Sequence, residues 1–179
     1  MKSDIVQIVF VFIALVLAAA LQDMSPAFGG AKPPFLQVFA LYMATRRPPD
    51  AKERGIRPAD GRHPQSWIWT AIAAGYMMES LSGLPWGCCI GFMLPACALA
   101  HAARRFAADM PATTFGMTAA VLFAPLQEAW LDAWGVTGGG SAFVRFFASA
   151  LPAAATGAAL FFVLPGIERF AGLRGRVDT

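Results

Sequence analysis

Residues 75–91 read GYMMESLSGLPWGCCIG: two apolar runs meet at a Ser-Gly-x-Pro break, and one acid, Glu79, stands within a turn of it. In an ordinary soluble core such a carboxylate needs a partner. In a bilayer an ionisable side chain is costly enough to mark a functional position by default. The solvent around this segment therefore decides its reading.

The chain has 179 residues, of which 57% are hydrophobic and 14% charged, against about 25% charged in soluble domains. Apolar runs separated by short polar breaks fill nearly all of it, which predicts an all-α integral membrane protein with one polytopic domain over residues 1–179. No repeat at solenoid or propeller spacing is visible. Cys88, Cys89 and Cys97 fall in a single apolar run without a second Cys or His cluster at metal-ligand spacing, so they read as buried thiols and no cofactor is expected. The formal charge of +3 suits an anionic lipid surface. Its basic residues are not interleaved with aromatics as nucleic-acid binding requires.

The first run, residues 5–21, nearly spans a hydrocarbon core of about 30 Å at roughly 1.5 Å per residue. Ala18, Ala19 and Ala20 resemble a signal-peptidase site, but the weak basic flank and the membranous sequence that follows favour an uncleaved helix. Pro33 and Pro34 open a short run, Phe35–Thr45, which reads as a tilted span or a re-entrant piece. Residues 46–66 form a basic, Pro-rich loop, expected to be mobile. Four more runs follow at 67–81, 87–103, 113–134 and 142–164, giving six transmembrane helices, or five if Phe35–Thr45 does not cross. Trp67, Trp69, Trp86, Trp130 and Trp134 fall near their ends, as an aromatic belt would.

Lys and Arg collect on the cytoplasmic side. Arg46, Arg47, Lys52, Arg54, Arg57 and Arg62 share a side with Arg104 and Arg105, and two further spans bring Arg169, Arg174 and Arg176 there. The C-terminus is then cytoplasmic, as is the N-terminus with six spans. The opposite face carries Lys32 and Arg145 against Asp23, Glu79, Glu128 and Asp132. Glu128 and Asp132 are four residues apart on one helix face, and Arg145 lies just past the Gly138-Gly139-Gly140 turn, so Arg145 is expected to neutralise one of them.

Gly83, Gly87 and Gly91 recur every four residues and suggest a face where another helix backbone approaches closely; Ala153 and Gly157 repeat the pattern. Pro95, Pro125 and Pro152 lie inside apolar runs, where neighbours must accommodate a missing donor. His101 beside Arg104 reads as an interfacial side chain. Ser80 and Ser82 have no partner for a serine dyad, and zinc-protease and phosphate-loop motifs are absent, so nothing points to an enzyme. Glu79 keeps two readings. It contacts a substrate or partner helix from an outward pocket, or it caps the Ser82-Gly83 turn or sits in headgroup water; its outward placement favours a partner or pocket surface over catalysis. The partner or pocket candidates are Glu79, Ser82, Gly83, Gly87, Glu128, Asp132 and Arg145. Arg46, Arg47, Lys52, Arg54, Arg57 and Arg62 form the candidate cytoplasmic surface.

With these residues in hand the chain resembles the bacterial rod shape-determining MreD family. The likeness rests on LYMATRR at residues 41–47, on AAGYMMESLSGLPWGCCIGFMLPACALAHAARR at 73–105 and on ALPAAATGAALFFVLPGIERF at 150–170. The chain departs from the family in having Glu79 where Asp is usual, Thr156 near an expected Asn, and a longer loop over 46–64. The resemblance implies a non-enzymatic inner-membrane subunit of the elongation machinery, partnered by MreC and lying near the wall-synthesis glycosyltransferase, the transpeptidase and the MreB filament. It also implies a fold like that of the substrate-binding components of energy-coupling-factor transporters. A vitamin-binding component of that kind is the rival expectation, with its ligand in an outward cavity near Glu79, Glu128 and Asp132.

Overall fold

The apolar runs are bounded by residues that cannot continue a helix, and the computed structural model, which describes residues 2–27, 32–45, 66–107, 109–136 and 142–170, is helical wherever they predict it. Helix α1 (Lys2–Met24) ends just ahead of Pro26, and α2 (Phe35–Thr45) opens directly after Pro33 and Pro34. Helix α3 (Ser66–Ser82) stops at Gly83, α4 (Cys88–Phe106) starts after Gly87, and α5 (Ala112–Ala133) follows Pro111. Helix α6 (Ala142–Phe170) continues through Pro165, beyond the expected stop at residue 164. A proline removes its own donor and crowds the carbonyl one turn back, and the helix nonetheless runs on to Phe170. No strand occurs among the described residues.

Helix α2 is the centre of the bundle. Every residue from Leu36 to Thr45 is buried, and α1, α3, α4, α5 and α6 all pack against it. Those five form a sequence of neighbours around it, α1 on α3, α3 on α4, α4 on α5 and α5 on α6, whereas α1 and α6 do not meet among the described residues. Eleven residues make α2 about 16 Å long, roughly half a hydrocarbon core. Because protein surrounds it, its length need not match any outer solvent.

The perimeter is apolar and the polar residues turn inward. Ile8, Phe12, Leu99, Leu122, Leu151 and Phe162 are each more than half exposed, while Gln37, Thr70, Glu79, Gln127, Ser149, Thr156 and Glu168 are buried. Two helices, α1 over Ile5–Met24 and α6 over Val144–Phe170, are long and apolar enough to cross a membrane. The basic loop with Arg46, Arg47, Lys52, Arg54, Arg57 and Arg62, the Gly138-Gly139-Gly140 turn, Arg174 and Arg176 lie outside the described residues.

Close helix approach does occur at glycines, but not at all those expected. A Cβ on Gly83 or Gly87 would meet nothing within 4 Å, and one on Gly91 would meet only the Trp130 ring, at 3.7 Å. Gly83 and Gly87 instead have φ of 64° and 85°, a left-handed backbone that glycine adopts without steric cost. Their spacing reflects two turns rather than a packing face. The true close approaches are Gly75, where a Cβ would lie 2.8 Å from the Cα of Ile90, Gly116, where it would run into the Phe161 ring, and Gly157, where it would lie 3.1 Å from the Cβ of Ala120. Thus Gly157 of the expected α6 pattern does pack closely, against α5.

Gly75→Ala must push the α3 and α4 backbones apart and is expected to destabilise the protein by roughly 1–3 kcal/mol. Gly166→Ala, which adds a methyl in open space, is expected to be neutral or slightly stabilising. Thermal unfolding of both variants in detergent checks this contrast.

Candidate functional site at the Glu79 turn

Glu79 ends one helix with its backbone and begins the next with its side chain. At the end of α3, Gly83 takes the left-handed conformation and the Leu84 N–H donates to the Glu79 carbonyl at 3.2 Å, the long bond of a Schellman closure. The α4 helix then starts from Gly87, whose lack of a side chain leaves it unable to cap. The Glu79 carboxylate does so instead. Its Oε2 accepts from the Gly87 N–H at 3.1 Å, and its Oε1 accepts from Cys89 at 2.8 Å and Ile90 at 2.9 Å. The Cys88 N–H donates to the Pro85 carbonyl, and the regular helical bonds begin with Gly91 to Gly87 at 2.8 Å. The donors that a helix start leaves without intrahelical partners are therefore all occupied.

The carboxylate is also placed where the helix dipole is positive, which suits an anion in a site only 2% exposed. This corrects the expectation that Glu79 offers its charge to an outward surface or to headgroup water. It differs as well from a simple cap on the Ser82-Gly83 turn, since the side chain reaches past that turn to α4. Ser82 and Gly83 are exposed and Gly87 is partly buried.

The same end of the bundle is tied across to α5 and α6. The Trp130 indole donates to the Cys88 carbonyl at 2.8 Å, linking α5 to the first turn of α4. Arg145 grips both carboxylate oxygens of Asp132, at 2.9 and 2.8 Å, a two-pronged geometry that fixes orientation as well as charge. Of the two acids proposed for Arg145, Asp132 holds the bonds; Glu128, one turn back, is partly buried. Tyr76 and Trp86 meet edge to face at 5.9 Å, and Trp86 is 79% exposed. Trp130 lies 6.2 Å from Trp134. Nearer the chain start, the Gln22 side chain of α1 accepts from the Leu36 N–H at 3.1 Å, and Lys32 pairs with Asp23 at 3.2 Å.

At the opposite end His101 secures α2. Its Nδ1 lies 2.7 Å from the Ala44 carbonyl oxygen, which can only accept, so Nδ1 carries the proton. Trp67 stacks on the imidazole at 5.5 Å. Arg104 donates to the Ala107 and Met110 carbonyls and lies over the Phe115 ring, closing the turn between α4 and α5. These are positioning contacts, and they bring no nucleophile and base together. Among the described residues no group of three His, Cys, Asp or Glu side chains could hold a metal ion.

The chain matches no family model, no curated protein and no solved structure. Its functional reading therefore rests on the residues themselves.

Several of these contacts have little sequence signal. Gln22, Trp130 and His101 act on backbone atoms of helices distant in the chain, and no local motif announces that. The Glu79 cap had one available clue: an acid just ahead of a helix that starts at glycine, with no Ser, Thr, Asp or Asn to cap it.

Glu79→Ala leaves three helix-start donors without their acceptor and is expected to cost roughly 2–4 kcal/mol. Glu79→Asp, one methylene short, and Glu79→Gln, which turns one acceptor into a donor, should fall between it and the parent in unfolding measurements. For the Asp132 and Arg145 pair, which is partly exposed, each charge reversal should lower the unfolding midpoint only slightly. The double reversal Asp132→Arg with Arg145→Asp should restore most of that loss; a double variant no better than the worse single would show that the pair contributes nothing.

Proposed function

We propose that the protein is a non-enzymatic, multi-pass scaffold of the bacterial inner membrane, acting in cell elongation as the MreD family does. Its proposed partner is a single-pass MreC-like protein, through which it helps to position or regulate the wall-synthesis glycosyltransferase and transpeptidase. All six helices would lie in the membrane, with both chain ends cytoplasmic and the basic loop of residues 46–66 against anionic lipid or the MreB filament.

The observation that carries this reading is the use to which the outer acids are put. Glu79 is consumed in holding α3 to α4, and Asp132 in holding α5 to α6. These two acids fix helix ends rather than converge on a reacting centre. What that end presents outward is an aromatic rim, with Trp86, Tyr76 and Trp134 exposed around the rigid turns. Large aromatic side chains held on a rigid base are the common anchors of protein interfaces. The apolar perimeter supports lipid as its solvent, because single exposed apolar residues are ordinary on soluble proteins but a perimeter of them is not.

Affinity purification from membranes tests the reading. Recovery of a single-pass, coiled-coil periplasmic partner is expected, with Trp86→Ala reducing that recovery at least fivefold while leaving thermal stability unchanged. Recovery of transporter ATPases in place of that partner would overturn the scaffold in favour of the vitamin-transport rival. Reporter fusions should place both termini in the cytoplasm; an external C-terminus would overturn the proposed topology.

A further inference from the structure

Helices α5 and α6 keep in step with one another. Gly116 meets Phe161, Ala120 meets Gly157 and Asp132 meets Arg145, so each advance along α5 is matched by an equal retreat along α6. Pro125 lies seven residues before Asp132, and Pro152 seven residues after Arg145. The two prolines therefore stand at one level on antiparallel helices. Each weakens its helix there, because it removes its own amide donor and crowds the carbonyl one turn back, that of Val121 in α5 and of Ala148 in α6. Thr156 donates to the Pro152 carbonyl at 2.7 Å, a back-bond that favours bending at the same turn.

That level is also where burial stops. Phe123, Ala124, Pro125 and Gln127 are buried in α5, and Ala150, Pro152 and Ala153 in α6, whereas residues 128–136 and 144–148 include no buried side chain. At the depth of Trp130, set by its bond to the Cys88 carbonyl, α4 still buries both Cys88 and Cys89. The difference comes from α2. This helix ends beside His101 and so runs the same way as α4 and α6. Tyr42 meets the Phe161 ring edge to face, and counting back from it sets Phe35, the first residue of α2, level with Ala154, about 3 Å inside Pro152. Beyond the prolines α5 and α6 have no central helix behind them.

The projecting pair is held chiefly within itself, where Arg145 clasps both oxygens of Asp132 across the two helices. The Trp130 indole ties it to α4 through the Cys88 carbonyl, and Gly91 leaves room for the ring, which lies 3.7 Å from where a Cβ would stand. We propose that residues 126–136 of α5 and 144–151 of α6 move as one hinged hairpin, pivoting at Pro125 and Pro152 and latched to the first turn of α4 by Trp130. Two clasped helices bend together most readily where both are weak at the same depth, and the level prolines supply that. Release of the latch draws the indole away from Gly91 and uncovers this face of α4. The hinge does not depend on the scaffold reading.

Electron-spin distance measurements on the full chain in nanodiscs test it with two label pairs. Ser82→Cys with Ala133→Cys spans the latch, and Ala133→Cys with Val144→Cys lies within the hairpin; all three sites are exposed, and the native thiols are buried. Within the hairpin a single narrow distance is expected in every variant. Across the latch a short distance should dominate in the parent, and Trp130→Phe, which keeps a ring but loses the N–H, should raise the share of longer distances at least threefold. Alanine at both prolines should bring that share back to the parent level or below. An unchanged distribution in Trp130→Phe, or a distance within the hairpin that lengthens with the other, would overturn the proposal. Should Trp130→Phe not fold, the proline pair decides alone: Pro125→Ala with Pro152→Ala must narrow the parent distribution across the latch, and equal widths would rule the hinge out.

Discussion

Helix ends leave backbone groups that need partners, and this constraint organises the structure. A helix start exposes donors and a helix finish exposes acceptors, and at three junctions the protein answers with a side chain from another helix. Gln22 of α1 serves the start of α2, Glu79 of α3 serves the start of α4, and His101 of α4 serves the finish of α2. In each case the group that satisfies an end also fixes one helix against another. The caps are therefore the joints of the bundle as well as its chemistry.

Such an arrangement explains why a helix as short as α2 can occupy the middle. Its first turn is held by α1 and its Ala44 carbonyl by α4, and its flanks are covered by the five helices around it. Neither the span of a bilayer nor the burial of one amphipathic face limits it. The long, apolar α1 and α6 provide the opposite case, with outer faces that remain exposed along most of their length. Close packing between α3 and α4 depends on Gly75, and packing between α5 and α6 depends on Gly116 and Gly157, so the joints at the ends are matched by glycines along the shafts.

The helices were legible because prolines and glycines punctuate an otherwise apolar chain. Pro33, Pro34, Gly83 and Pro111 each mark a boundary that the structure keeps. The closeness of Arg145 and Asp132 was legible because a short connection makes α5 and α6 antiparallel neighbours. The partner of Glu79 was not. Its position near a break suggested an outward charge, whereas its carboxylate turns in toward amides eight to eleven residues ahead, a relation that no local pattern encodes. The spacing of Gly83, Gly87 and Gly91 imitated a packing motif for an unrelated reason, the two left-handed turns that the Glu79 cap requires. The central place of α2 was hidden too, since an apolar run of eleven residues reads alike whether lipid or protein surrounds it.

Hydrogen exchange at the first amides of α4 addresses the central claim most directly. If the Glu79 carboxylate is the acceptor that starts this helix, the Cys89 and Ile90 amides should be protected in the parent. In Glu79→Ala they should exchange at least tenfold faster, with the middle of α4 unchanged. Equal rates at those two amides in parent and variant would contradict the account, since the helix would then begin without the acid.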